Sequence, residues 1–238
     1  MDPSSHAFRG VEGSERFNEV RDKRIPGYLV IGYGTGRRLP RRGEVAVPSD
    51  PTTHRVRGLF DTHHKMLGID FFEALRDIDE SLGLEYARTL GEVLQANSEG
   101  EKLFPWLVNF ERRGQSGVNE MRKLLESRRL VIDVGRSEPI KLSPHQLSQG
   151  YQSMFAWIAD LLGHAFLDAG AAVLPAEMEG IVLLDEIDLH LHPTWQRRLV
   201  PILRKVFPKM QFVVTTHSPL VLTGFEAHEI IRMELVDG

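Results

Sequence analysis

At 238 residues and 42% hydrophobic, the chain can bury the core of one domain, with room for an appended subdomain. A formal net charge of -4 and a pI near 6.2 give no global reason to expect a polyanionic partner, and the lack of any cysteine removes disulfides, zinc–thiolate sites and thiol nucleophiles together. The start, Met1-Asp2-Pro3-Ser4-Ser5-His6, is polar and no apolar run approaches the ~20 residues of a membrane span, so the expected setting is the cytoplasm with no membrane partner.

Residues 1–26 are polar and weakly patterned. Tyr28-Leu29-Val30-Ile31 then reads as a short buried strand that runs into Gly32-Tyr33-Gly34-Thr35-Gly36-Arg37-Arg38. Such glycines can bring backbone amides to a phosphate, but Leu39-Pro40-Arg41-Arg42-Gly43 is not a helix start, so a tight loop is the better reading. Residues 1–60 hold eleven Lys/Arg against seven Asp/Glu; Arg37, Arg38, Arg41 and Arg42 read as a solvated basic loop, with a phosphate or nucleic-acid contact as the alternative. The Pro-, Gly- and Thr-rich stretch 43–59 reads as an exposed connection. Helical periodicity is expected from Asp61 to Ala96 through Phe71, Phe72, Leu75, Ile78, Leu82 and Leu84. It is expected again from Leu103 to Arg128 through Trp106, Phe110, Met121, Leu124 and Leu125. Leu130 to Val134 and Pro139 to Leu142 form a hairpin.

Three later segments carry chemistry. Leu147-Ser148-Gln149-Gly150-Tyr151 opens a helix that continues through Met154, Phe155, Trp157, Ile158, Leu161 and Leu162, and a helix start offers free N–H groups and partial positive charge. An ordinary serine N-cap accounts for this segment equally well when it is taken alone. Ile181-Val182-Leu183-Leu184 reads as a buried strand that stops at Asp185 and Glu186; side chains alternate along a strand, so these two carboxylates point apart and can serve a cation and a water separately. After Pro193 a helix covers Trp195 to Phe207, and the strand Gln211-Phe212-Val213-Val214-Thr215 ends at Thr216-His217-Ser218-Pro219. A strand, helix, strand order makes a parallel unit, so His217 is expected on the sheet edge that carries Asp185 and Glu186.

These segments resemble, in order and spacing, the signature loop, the Walker B strand with its following glutamate, and the switch histidine of ABC-type ATPases. More narrowly, Leu184 to Pro193, Gln211-Phe212 and Thr216-His217-Ser218-Pro219 resemble the AAA_21-type, SMC/RecF-like ATP-binding proteins, a group that includes bacterial anti-phage ATPases. The resemblance covers about residues 28–38 and 104–225. It implies an α/β fold with the mostly parallel sheet of a P-loop NTPase, an ABC-type head that is incomplete and carries an inserted helical subdomain. The expected division is 1–60 as strand and basic loop of the ATPase lobe, 61–128 as helical subdomain, and 129–238 as the lobe with the three motifs. Two departures stand out: no Gly-Lys-Ser/Thr occurs, so the Walker A phosphate loop is expected in a lobe upstream or in a partner chain, and His192 stands where ABC transporters place aspartate.

The resemblance further implies ATP and Mg²⁺ as ligands, with Asp185 on the metal, Glu186 on the attacking water, and His217 sensing the γ-phosphate. Leu147, Ser148, Gln149 and Gly150 would clamp the nucleotide of a second subunit, so the expected assembly is a homodimer or a pair with a chain supplying Walker A. DNA or an effector nuclease is the further partner class. Two other readings compete. One is a non-catalytic partner that completes another subunit's site through Ser148, though a pure clamp needs neither Glu186 nor His217. The other is a metal-dependent hydrolase or nuclease built on Asp185, Asp188, His190, His192 and His217.

Overall fold

In the computed structural model the described residues are 28–39, 51–67, 80–98, 101–104, 107–110, 130–132, 140–142 and 144–234. The expectations for Phe71, Phe72, Leu75, Ile78, Trp106, Met121, Leu124, Leu125, Arg41 and Arg42 lie outside them.

The site rests on a three-stranded parallel sheet. Strand β1 (Tyr28–Tyr33) and strand β8 (Met210–Val214) flank the central β7 (Glu179–Leu184). Tyr28 pairs with Glu179 and Tyr33 with Leu184, while Gly180 pairs with Met210 and Leu184 with Val214. All three strands therefore end at one level, which gathers residues 34, 185 and 215 on one carboxyl edge. The ladder persists past the strands: the Asp185 amide donates to the Tyr33 carbonyl at 2.8 Å and the Ile187 amide to the Thr215 carbonyl at 3.0 Å. Ile181 and Leu183 are only half-buried, whereas Val182 and Leu184 are buried, so β7 covers one face more fully than the doubly buried strand expected.

Between β1 and β7 come helix α1 (Pro51–Arg57), helix α2 (Glu80–Leu94), the short pair β2 (Asn97–Ser98) and β3 (Glu101–Lys102), and the antiparallel sheet of β4 (Leu107–Phe110), β5 (Leu130–Ile132) and β6 (Ile140–Leu142). Three expectations change here. Residues 61–67 are turn and loop rather than the opening of the helix expected from Asp61, whose described part is Glu80–Leu94. Residues 51–57 are helical rather than an open connection, with Pro51 at the helix start, where its missing N–H costs nothing. Residues 107–110 are a strand rather than helix, because their backbone pairs antiparallel with Leu130–Ile132, a non-local ladder that overrides local periodicity.

Helix α3 (Gln149–Ala169) is the axis of the core, with Met154, Phe155, Trp157, Ile158, Leu161, Leu162 and Phe166 buried along it. Against them lie Leu82, Tyr86, Leu90 and Leu94 of α2 and Ile31 and Tyr33 of β1 in one continuous cluster. Each fully buried leucine or phenylalanine in it contributes about 1.5–3 kcal/mol. Tyr86 meets Phe166 edge-on with centroids 5.6 Å apart, and its hydroxyl donates to the Ala159 carbonyl at 2.6 Å. Tyr151 meets Phe104 and Trp195, each at 5.2 Å, and fixes the start of α3 beside the start of helix α4 (Pro193–Val206). His192 caps α4, its side chain accepting from the Thr194 amide at 3.4 Å, and Arg204 and Lys205 sit favourably in its last turn. The short helix α5 (Pro219–Leu222) follows β8.

Candidate functional site

Asp185 and Glu186 leave the end of β7 as half-buried side chains in the turn 185–190. Glu186 has φ 45° and His190 φ 63°, both in the left-handed region that a non-glycine residue enters at a cost of about 1–3 kcal/mol. Such a turn persists only where surrounding contacts hold it, and they are all at hand. The Thr215 hydroxyl donates to Asp185 Oδ1 at 2.5 Å and accepts from the Glu186 amide at 2.8 Å. The Thr216 hydroxyl donates to Asp188 Oδ1 and accepts from the Ser218 amide at 3.0 Å. The Leu189 amide donates to the Glu186 carbonyl and the Leu191 amide to the Asp188 carbonyl, each at 2.9 Å. Ser218 Oγ donates to Gln196 Oε1 at 2.7 Å, and Gln196 Nε2 returns to the Leu191 carbonyl at 3.0 Å. The ends of β7 and β8 and the start of α4 are thus one polar network.

From the end of β1 a cation joins them. Arg37 is only 5% exposed, and its Nη2 donates to the Glu186 carbonyl at 2.7 Å. Burial lowers its pKa to about 10, against the opposing pull of the Asp185, Glu186 and Asp188 carboxylates, so it stays charged at neutral pH. The solvated basic loop expected there is corrected at this residue: Arg37 is buried, while Arg38 beside it is exposed. The glycines ahead of it are explained by close packing. A Cβ on Gly34 would lie 2.3 Å from the Gly58 carbonyl oxygen, and one on Gly36 would lie 2.3 Å from that of Thr62.

The other expected residues arrive from two directions. His217 is exposed just past β8, one residue after Thr216. Ser148 stands at the N-cap of α3 without a side-chain cap bond and is exposed, as is Gln149; Leu147 is buried. Gly150 is buried, and a Cβ there would meet the His190 carbonyl oxygen at 2.3 Å. The α3 start therefore lies directly against the turn that follows Glu186 in the same chain. Asp188 is half-buried on Thr216, His190 is exposed, and exposed His192 is occupied at Thr194, 3.1 Å from its Oγ1.

The donors around Asp185 suit a hard cation. Its Oδ1 takes one hydroxyl, and the neighbouring donors are carboxylates and hydroxyls. Among the described residues no three His, Asp or Glu side chains are gathered into a metal cage. One or two carboxylates without a full cage is the arrangement Mg²⁺ completes with waters and substrate phosphates. The sequence reading gave Thr215 and Thr216 no role of their own, named Asp188 only within the metal-hydrolase alternative, and placed Arg37 in a solvated basic loop with a phosphate or nucleic-acid contact as the alternative. The two threonines were detectable as hydroxyls at the end of an apolar strand, whereas Arg37 meets Glu186 from 149 residues away.

A second polar cluster lies in the core. Asp160, 5% exposed, accepts from the Tyr33 hydroxyl at 2.9 Å and the Leu67 amide at 2.6 Å; burial raises its pKa and that of Tyr33. His54 Nδ1 lies 3.3 Å from His164 Nε2, and His64 meets His54 edge-on at 4.4 Å. Burial holds His54 down to about 4 and His164 down to about 3, so both are neutral at pH 7. Among the described residues no helix is long and apolar enough to cross a membrane.

Comparison with known proteins supplies the family. The model described as "AAA domain, putative AbiEii toxin, Type IV TA system" (AAA_21) matches residues 40–223, more than three quarters of the chain. The "Retron Ec83 probable ATPase" of Escherichia coli is 47% identical over 42% of this chain and 18% of its own length. The "Retron Vc95 probable ATPase" of Vibrio cholerae serotype O1 biovar El Tor is 31% identical over 68% of this chain and 37% of its own. The "Septu protein PtuA" of Bacillus mycoides (strain KBAB4) is 29% identical over 86% of this chain and 24% of its own. The chain thus spans well under half the length of each of these relatives. With β7 and β8, two of the three parallel strands, inside the matched span and a family whose fold is that of α/β P-loop NTPases, the protein belongs to the AAA_21 family.

Proposed function

We propose that this chain forms part of an ATP-hydrolysing head in an anti-phage ATPase, of which Asp185, Glu186 and His217 are the hydrolytic half. The observation that carries the reading is the meeting of two parallel strand ends: Thr215 of one holds both the side chain of Asp185 and the main chain of Glu186 on the other. Asp185, half-buried and fixed by that hydroxyl, is the residue for Mg²⁺. The metal supplies charge neutralisation on the transferred phosphoryl group. Glu186, next after Asp185 in the turn that follows β7, is the base that orients the attacking water. His217 stands exposed on the same edge, where it can meet a γ-phosphate. The cytoplasm is the setting this reading implies.

The phosphate-cradling loop would come from another lobe of a longer chain or from a partner, in keeping with relatives much longer than this chain. A second head would bring its own Leu147-Ser148-Gln149-Gly150 segment across the nucleotide, and ATP would then join two subunits until hydrolysis parts them. The likeness to retron ATPases and a Septu protein supports a place in defence against phage. A nuclease or other effector, or DNA, would be the further partner. A second reading, a non-catalytic chain that only completes a partner's site, is favoured by one feature: Ser148 is exposed and its hydroxyl makes no cap bond.

Glu186→Gln in a complete subunit separates the two. It should lower turnover by about 10²- to 10⁴-fold while ATP binding stays within a few-fold. Unchanged turnover would remove Glu186 from the chemistry, and lost ATP binding would show that it serves the fold or the nucleotide instead.

A further inference from the structure

We infer that Arg37 is a positioning residue for the proposed hydrolytic site, reaching from the end of β1 to hold the Glu186 turn by its carbonyl and to offset the carboxylates clustered there. This rests on the ATPase reading, and it extends that reading to a residue that contacts no reacting atom.

Three observations converge. Glu186 sits at φ 45°, a conformation that needs outside support. Its carbonyl accepts twice, from the Leu189 amide at 2.9 Å within the turn and from Arg37 Nη2 at 2.7 Å across the sheet edge. Arg37 is itself 5% exposed, which withdraws it from bulk solvent and leaves little of its surface for a nucleic acid or a phosphate. Its Nε is buried with no hydrogen-bond partner among the described residues. A buried guanidinium so incompletely satisfied is costly, and what offsets that cost is the field of Asp185, Glu186 and Asp188.

One cation against three carboxylates still leaves the pocket negative, so Arg37 lessens carboxylate repulsion without displacing a divalent metal. Its donated hydrogen bond fixes the backbone from which the Glu186 side chain springs. Loss of that anchor lets the carboxylate wander from its line to the water, and a misplacement of about 1 Å can cost a hundredfold in rate. Lysine carries the charge and a compact ammonium donor group but not the planar fork, so it should replace arginine only in part.

The test uses the complete subunit as wild type, Arg37→Gln, Arg37→Lys and Arg38→Gln. Turnover should fall at least about tenfold in Arg37→Gln with KM for ATP within about twofold, partly recover in Arg37→Lys, and stay at wild type in Arg38→Gln. Hydrogen exchange without nucleotide gives a second readout: segment 185–191 should exchange at least about tenfold faster in Arg37→Gln than in wild type. A raised KM with kcat kept, in either Arg37 variant, would make Arg37 a nucleotide contact and overturn the inference. So would an equal loss in Arg38→Gln, or unchanged exchange in Arg37→Gln. Should Arg37→Gln not fold, Arg37→Lys decides on the same KM and kcat criteria. A wild-type subunit without turnover would sink the ATPase reading, whereas the exchange readout would still decide whether Arg37 holds the turn.

Discussion

Thr215 joins Asp185 to Glu186: one hydroxyl, at the end of β8, donates to the carboxylate of the first at 2.5 Å and accepts from the amide of the second at 2.8 Å. The two residues given different tasks in the proposed mechanism are thereby held by one atom of a neighbouring strand. Thr215→Val keeps the shape and removes both bonds, leaving the Glu186 amide without that acceptor. In a complete subunit, turnover should fall about 10- to 100-fold, with ATP affinity little changed and with recovery in Thr215→Ser. Wild-type turnover in Thr215→Val would show that the bridge is incidental.

Gly150 tests a different link, between the start of α3 and the turn after β7. A methyl group there would sit 2.3 Å from the His190 carbonyl oxygen, a contact with backbone that cannot swing aside cheaply. Gly150→Ala should therefore destabilise the fold by about 1–3 kcal/mol, because overpacking forces the backbone to shift. Denaturant titration against wild type reads it directly. An unchanged midpoint would mean that the 188–191 turn yields freely, and then it could not transmit the position of Ser148 to Glu186.

The parts of this architecture that were legible in the sequence are those written by local rules. The strands β7 and β8 announced themselves as apolar runs ending in acid or hydroxyl, and α4 by Pro193 and its inward Leu199, Ile202 and Leu203. The meeting of their ends followed from parallel connection alone. What escaped was non-local. Leu107 to Phe110 looked helical until its partner Leu130 to Ile132 was known. Residues 51–57 looked like loop, yet Arg55 Nη2 lies 2.6 Å from Asp168 Oδ1 and ties that helix to the far end of α3. Arg37 looked like one more solvated arginine because nothing in its neighbourhood names a carbonyl 149 residues on.

The histidine cluster predicts how stability follows pH. His164 is fully buried and held down to about 3, and half-buried His54 to about 4; burial is the main cause for both. A folded pKa below the unfolded value of about 6.5 means that the unfolded chain binds protons first. The contribution is therefore complete above pH 6.5 and is lost as pH falls from there through the folded values. Arg55 and His64 oppose a charge on His164 and Asp168 favours it. Asp160 runs the other way: its raised pKa adds stability in acid that is lost as pH rises through the folded value, so it offsets part of the fall at the low end. Unfolding free energy measured at pH 7.5, 6.0 and 5.0 should decline. The slope should be shallower in His164→Gln, by up to about 1.4 kcal/mol per pH unit for the one proton removed. Equal slopes in the two proteins would show that His164 does not titrate with unfolding.

Ser148 carries the final prediction, because both readings of the site place it across the nucleotide of a second subunit. Its side chain is exposed at the N-cap of α3 yet makes no bond to its own helix, so its replacement should cost the fold little. Ser148→Arg should leave the melting temperature near wild type while placing a long cation where a second head would present its nucleotide. In a complete subunit bearing Glu186→Gln, which should accumulate the ATP-bound state, the added Ser148→Arg should abolish ATP-dependent dimers in sedimentation or light scattering. Mixed with Walker A-bearing partners of wild-type sequence, it should also fail to stimulate their turnover, since the clamp acts in trans. Dimers that form unaltered would remove residues 147–150 from the interface. Loss of dimers with a collapsed melting temperature would instead make Ser148 a structural residue of the α3 start, in the way Gly150 already is.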